Sequence, residues 1–435
     1  MNQAEDKDPY RILKGDICYT PEPGILVAKE NAYLAARGNT VLGVYDEIPN
    51  ILKGAEVTDC TGMLIMPGLT DLHTHAPQHT FYGTGMDYEL LEWLAYNTFP
   101  EEARYADPEY AEKAYGYFSE CMKNGATTRA VIYGTIHRES TLMLMECMEK
   151  SGLVSYVGKV NMDRNSPDDL TEEGASSAAE DTRRFIEESC QKGFERTKPI
   201  ITPRFAPSCS GELMRQLGRL REQYSLPVQS HLSENPDEVA LVHKLFPEAE
   251  FYGDVYDRYG LFGKAGNTVM AHCIYSTEEE VQRMRRNGVF VAHCPSSNMN
   301  LASGIAPIRS YLTRGLHVGL GTDVAGGSSL SMFRAVTDAI QVSKLYWRYM
   351  DETARPLLFR ESFYMGTKGG GAFFGKCGSF EEGYAFDAVV IDDRIPDCPS
   401  TLSLEKRLER AFYMEMDRDR IVMKIADGRP LICRI

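Results

Sequence analysis

Two histidines one residue apart, in Asp-Leu-His-Thr-His (Asp71 to His75), directly follow the apolar run Met-Leu-Ile-Met-Pro-Gly-Leu-Thr. Alternate side chains of a strand lie on one face, so His73 and His75 converge on a common point. Other strand-like runs end in residues of similar chemistry: His231 in "PVQSHLSE", His272 in "NTVMAHCI" and Asp323 in "HVGLGTDVA". Three imidazoles and a carboxylate, from His73, His75, His231 and Asp323, make a nitrogen and oxygen set suited to Zn2+ with one position left for water. Fe2+ or Mn2+ accept similar ligands, and zinc is the choice among them. Such an ion lowers the pKa of its bound water towards about 7. Glu234, just beyond His231, can move a proton from that water. His272 and Asp323 can orient the attacking oxygen. Bland alternatives exist for each: a strand-end histidine is often only hydrogen-bonded structure, Glu234 could cap the helix that begins "ENPDEVALVHKLF", and Arg204 could form a structural salt bridge. What favours a site is the recurrence of such residues at equivalent strand ends. His79, His137, His243 and His317 have no such placement and read as structural or exposed, and "HCPSSN" (293–298) reads as support at the mouth.

The elements that would position them follow one pattern from Met66 onward. Short β-branched or apolar runs end in polar residues, and amphipathic helical stretches follow. The runs are "LIMPGLTDLHTH", "TTRAVIYGT", "VSYVGKVNM", "PIITPRFAP", "PVQSHLSE", "NTVMAHCI", "VFVAHCPS" and "HVGLGTDVA". Strands alternating with helices imply parallel β/α units. Eight of them predict an α/β fold, a (β/α)8 TIM-type barrel over 66–375, with functional groups at the carboxyl ends of its strands. Both flanks read as short strands and turns, which predicts a small composite β-sandwich domain from 1–65 plus 376–435. A long insertion at 82–106, after the first strand, is either part of a lid over the site, a packed loop or a subunit contact.

Bulk properties narrow the partners. The 435 residues are 43% hydrophobic and 25% charged, as in a soluble globular protein. A formal net charge of −15 without a basic stripe argues against nucleic acid or an anionic membrane surface as partner. A small ligand fits better. The amino terminus is polar and acidic with no signal-peptide pattern, no stretch is long and apolar enough to span a membrane, and the 11 cysteines are scattered. A cytoplasmic location is expected.

The motifs "PGLTDLHTH", "SHLSE", "MAHC", "AHCPSSN" and "GLGTDVAGG" resemble the motif series of the amidohydrolase superfamily across essentially the whole chain. Within it, "HTHAPQHTFYGTGMDYELLEWLAYNTFPEEARYAD" and "TPRFAPSCSGELM" are similar to the guanine deaminase family. That resemblance implies one zinc per chain, a homodimer, and hydrolytic deamination of guanine to xanthine and ammonia. It further implies that His73, His75, His231 and Asp323 hold the metal and that Glu234 and Asp323 transfer protons. His272 would stand beside the attacking water, and Gln78, Arg204 and Phe205 would recognise the purine. Superfamily members with two metals commonly use a modified lysine on the fourth strand. Here "PIITPRFAP" offers arginine instead, which favours one metal. The H-x-E…P-C-x-x-C pattern of the other zinc deaminase class is absent. The rival readings are deamination of another heterocycle, such as 8-oxoguanine, an aminopurine or a triazine, and a non-catalytic scaffold of the same fold.

Overall fold

The computed structural model describes residues 9–264, 266–396, 398 and 401–434. Residues 1–8, read from sequence as the polar start of the amino-terminal β region, lie outside the described residues.

Both chain ends enter one sheet. Its amino-terminal strands are β1 (Tyr10–Glu22), β2 (Ile25–Arg37), β3 (Thr40–Tyr45) and β4 (Glu56–Pro67). The parallel sheet that follows uses β5 (Leu69–His75), β6 (Thr127–Tyr133), β7 (Val154–Gly158), β9 (Thr197–Pro199), β11 (Val228–Leu232), β12 (Thr268–His272), β13 (Phe290–His293) and β14 (His317–Leu320). Two short strands, β8 (Val160–Asn161) and β10 (Thr202–Pro203), pair with each other. The chain ends with β15 (Ala388–Ile391), β16 (Ile421–Ala426) and β17 (Arg429–Cys433).

The parallel sheet runs β11-β12-β13-β14-β5-β6-β7-β9. Ile201, two residues beyond β9, makes an isolated parallel bridge with Val228 of β11, through Ile201 N–H to Pro227 O and Gln229 N–H to Ile201 O, each 3.0 Å. All eight runs named from the sequence contribute strands. The fourth is broken: Pro199 and Pro203 have no N–H to give a ladder, so "PIITPRFAP" becomes two short pieces, β9 and β10. Period-two alternation sorts the side chains. Val269 and Ala271 of β12, and Phe290 and Ala292 of β13, join one inner cluster with Leu72, Val131 and Ile200, whereas Met270 and Val291 pack outward among the helices. A Cβ at Gly158 would come within 1.8 Å of Thr202 Oγ1, so glycine is required where β7 passes β10.

The other sheet has the order β17-β16-β15-β4-β1-β2-β3. Leu13, Leu34, Val41, Ile65, Val390 and Ile425 form one cluster, so distant strands of this sheet meet over a shared core. The helix Leu404–Tyr413 instead sends Leu404, Leu408 and Phe412 into the core of the parallel unit, with the Phe412 ring 3.7 Å from that of Phe333. Among the described residues no helix is long and apolar enough to cross a membrane.

A buried ion pair ties the two sheets. Arg129 on β6 donates to Asp387 before β15, Nε to Oδ2 at 2.6 Å and Nη2 to Oδ1 at 3.3 Å, and both side chains are buried. Asp387→Ala leaves that buried guanidinium with only the longer contact to Asp427, at 3.5 Å, and should lower unfolding stability by about 3 kcal/mol, read as a shifted denaturant midpoint. A change under about 1 kcal/mol would show that the pair adds nothing to the contact.

Candidate active site

Strand periodicity and the spacing of β5, β11 and β14 bring four of the sequence-named groups together. His73 and His75 share one face of β5, and their Nε2 atoms lie 3.3 Å apart. His231, on β11, places its Nε2 3.3 Å from that of His75. Asp323 Oδ1 lies 3.1 Å from His73 Nε2 and 3.5 Å from His75 Nε2. Two tetrahedral ligands of Zn2+ at ordinary zinc–nitrogen lengths stand about 3.3 Å apart, so the donor atoms are already spaced for one small cation. The tautomer fits as well, because His231 Nδ1 is 2.6 Å from the carbonyl of Arg204 and its Nε2 therefore faces inward as the bare nitrogen. Burial, and then the neighbouring imidazoles, hold His75 and His231 well below the usual histidine range. Neutral rings are what a metal needs. His73, His272, Cys294 and Asp323 also offer atoms close together, but burial holds the Cys294 thiol well above its usual range, and a neutral thiol is a poor ligand.

Asp71 holds the segments that carry His73 and Asp323 in place. Its carboxyl accepts from the backbone N–H groups of His73 (3.1 Å) and Thr322 (3.0 Å) and from Thr322 Oγ1 (2.5 Å). It thereby stitches β5 to the segment after β14. Ser233, His272, Cys273 and Asp323 all have positive φ, between 48° and 71°. Left-handed backbone at non-glycine residues is strained and gathers at functional sites.

The second group is a buried acid and imidazole pair. His272 Nε2 lies 3.4 Å from Glu234 Oε2 and 3.7 Å from Asp323 Oδ2, and its Nδ1 lies 2.8 Å from Asn298 Oδ1. Ser303 Oγ donates to Glu234 Oε1 at 3.1 Å. Burial, helped by the charge of Asp323, pushes the Glu234 carboxyl up to about 8, near the range where proton transfer at neutral pH is most effective. The capping alternative for Glu234 is taken up by other residues. Asn235 caps the helix Pro236–Leu245, and the Glu238 carboxylate accepts from the backbone N–H of both Glu234 and Asn235.

A cavity lies over both groups, lined among others by Gln78, Arg204, Phe205 and Glu234. Leu90, Trp93 and Leu94 wall it from the 82–106 insertion. Arg204 also fulfils its salt-bridge alternative, pairing in the buried interior with Glu102, whose Oε1 is 3.0 Å from its Nη2. Sequence reasoning passed over Glu102, Ser303 and the hydrogen-bonding of Asn298. Glu102 sits beside Glu101 in a stretch of mixed composition, and nothing local separates a buried acid from an exposed one.

A family model described as "Amidohydrolase family" matches residues 64–430. The chain belongs to the amidohydrolase family. Among curated amidohydrolase relatives, guanine deaminase of Mus musculus is 42% identical over 367 residues, 81% of this chain and 80% of its own length. Guanine deaminase of Escherichia coli is 35% identical over 389 residues, covering 88% and 84%. A crystal structure of guanine deaminase from C. acetobutylicum with guanine bound in its active site superposes with a TM-score of 0.93 at 44% identity. It covers 97% of this chain and 99% of that one.

The Glu234 shift has a consequence for the amidohydrolase stripped of cation. Its folded carboxyl, at about 8, stands above the ordinary 4.5. The stability it contributes is therefore fully present below about pH 4.5 and is lost as pH rises through about 8. Glu234→Gln should flatten that decline, by a few kcal/mol at most. Denaturant midpoints of chelator-treated wild type and variant at about pH 5 and about pH 8.5 check it, and parallel slopes would refute the assignment.

Proposed function

We propose that the chain catalyses hydrolytic deamination of guanine to xanthine and ammonia, with His73, His75, His231 and Asp323 as its metal ligands. The reading is carried by one observation: His75, His231 and Asp323 of the donor cluster, the Glu234–His272 pair and the Gln78–Arg204–Phe205 group all line the same cavity. The guanine deaminases that resemble it over most of their length support the substrate. A divalent cation in that cluster, one Zn2+ per chain with Fe2+ as the alternative, would supply positive charge that brings the pKa of water towards about 7.

The chain's own groups do the rest. Glu234 takes a proton from the attacking water and delivers it to the ring nitrogen next to the carbon that bears the amine, which makes that carbon more electrophilic. Asp323 and His272 hold the incoming oxygen. A further proton passes to the amine, the carbon–nitrogen bond breaks, and ammonia leaves while the carbon keeps its oxygen as a carbonyl. Gln78 and Arg204 hydrogen-bond the carbonyl side of the purine, and Phe205 packs on the ring.

The proposal extends to architecture and assembly. The parallel sheet is read as a closed (β/α)8 barrel over 66–375, and the seven-stranded sheet as a β-sandwich from 1–65 plus 376–435. The working unit is a homodimer in the cytoplasm, acting on a small-molecule purine and on neither nucleic acid nor membrane. Absence of any bridged cysteine pair among the described residues fits a reducing compartment.

Zinc-loaded protein should release ammonia from guanine roughly 10⁴-fold faster than from adenine, whose amine leaves the recognition donors unpaired. Comparable rates would remove the recognition half of the proposal. Glu234→Gln should abolish turnover while metal analysis still finds about one ion per chain. Retained activity would assign the proton shuttle elsewhere.

A further inference from the structure

Glu102 is 1% exposed and stands behind the cavity wall rather than in it. It is carried by the helix Phe99–Ala103 in the insertion after β5. Three donors converge on its carboxylate. Arg204 gives both Nη atoms, one to each oxygen, and Gln78 Nε2 donates to Oε1 at 2.9 Å. The other end of the Gln78 amide is fixed too, since Oε1 accepts from the backbone N–H of Ala325 at 3.1 Å. A carboxylate paired with arginine only accepts, and a backbone N–H only donates, so these two partners leave the amide a single orientation.

What then faces the cavity follows from subtraction. Gln78 has one Nε2 hydrogen left, and Arg204 has the guanidinium hydrogens that Glu102 does not take. A guanidinium has no acceptor in any pose. The recognition wall is therefore composed of donors alone, and a ring carbonyl satisfies it where a ring amine cannot. Phe99, from the same helix, lies 5.4 Å under the Arg204 guanidinium, so the arginine keeps a second anchor if the carboxylate is altered.

We propose that Glu102 is a specificity-determining positioning residue: by locking the Gln78 amide and the Arg204 guanidinium it turns the wall into a donors-only surface that selects a carbonyl over an amine. The inference rests on Gln78 and Arg204 being the substrate-recognition pair. Freed from Glu102, the Gln78 amide can rotate and offer its carbonyl oxygen to an amine, and the two substituents become harder to tell apart.

The test compares wild type, Glu102→Gln and Glu102→Asp on guanine and on 2,6-diaminopurine. The latter keeps the amine at the reacting carbon and replaces the carbonyl by a second amine. Where its turnover is too slow to follow, its competitive inhibition constant replaces kcat/KM. In E102Q, kcat/KM for guanine should fall on the order of 10–100-fold through loss of charge-assisted hydrogen bonds. The diaminopurine value should hold within roughly threefold or improve, so the ratio narrows about tenfold or more. E102D, which keeps the charge on a shorter arm, should lie between. Bound metal and Tm are measured on each variant. Equal losses on both substrates, or losses that follow metal content or Tm, overturn the proposal by assigning Glu102 a structural role only. If E102Q fails to fold, E102D supplies the same ratio. A wild type inactive on guanine would sink the substrate reading and this inference with it, whereas a selective wild type with an unchanged ratio in the variants sinks this inference alone.

Discussion

Three imidazole nitrogens and a carboxylate crowd together in a buried site, with both His73 and His231 within 3.3 Å of His75 and Asp323 within 3.5 Å of His73 and His75. Neutral imidazoles that aim bare nitrogens at one point repel through their lone pairs, and water is too large to sit among them at that spacing. A small cation would resolve the conflict. Much of the surrounding structure serves to hold this arrangement against its own repulsion. The Arg204 carbonyl fixes the ring of His231, Asn298 fixes that of His272, and Asp71 ties the backbone of β5 to the segment that delivers Asp323.

The same crowding sets the chemistry of the neighbouring acid. Glu234 is close enough to feel Asp323 yet has a single neutral hydroxyl, Ser303, on its other oxygen. An acid so placed keeps its proton far longer than one in water and gives it up when charge in the site changes. Its neighbours Asn235 and Glu238 take over the helix start, which leaves the Glu234 side chain unencumbered. One turn of chain thus separates the residues that cap the helix from the acid that faces the cavity.

Legibility in the sequence followed the range of each interaction. His73 and His75 were readable because a two-residue period is local, and His231, His272 and Asp323 because each ends an apolar run. The break at Pro199 and Pro203 was also written in the letters, although the run was read as one strand. Glu102 was not readable. Its burial depends on Arg204, about a hundred positions away, and on a helix whose composition resembles any exposed turn. The seven-stranded sheet was legible as β structure but not in its pairing, since the match of β4 with β15 is decided by residues at opposite ends of the chain. The helix Leu404–Tyr413 likewise packs against the parallel unit through a face that no local signal assigns to it.

The pairing of β4 with β15 also imposes a timetable on synthesis. A ribosome releases β4 and the histidine-bearing strand behind it long before Ala388–Ile391 exists. Throughout that interval the amino-terminal sheet presents an unzipped flank, the kind of surface that seeds association between nascent chains. Completion waits for the final few dozen residues, so a polypeptide cut short there would lose the neighbour that seals its first-made half, although every group of the histidine–carboxylate cluster had already emerged.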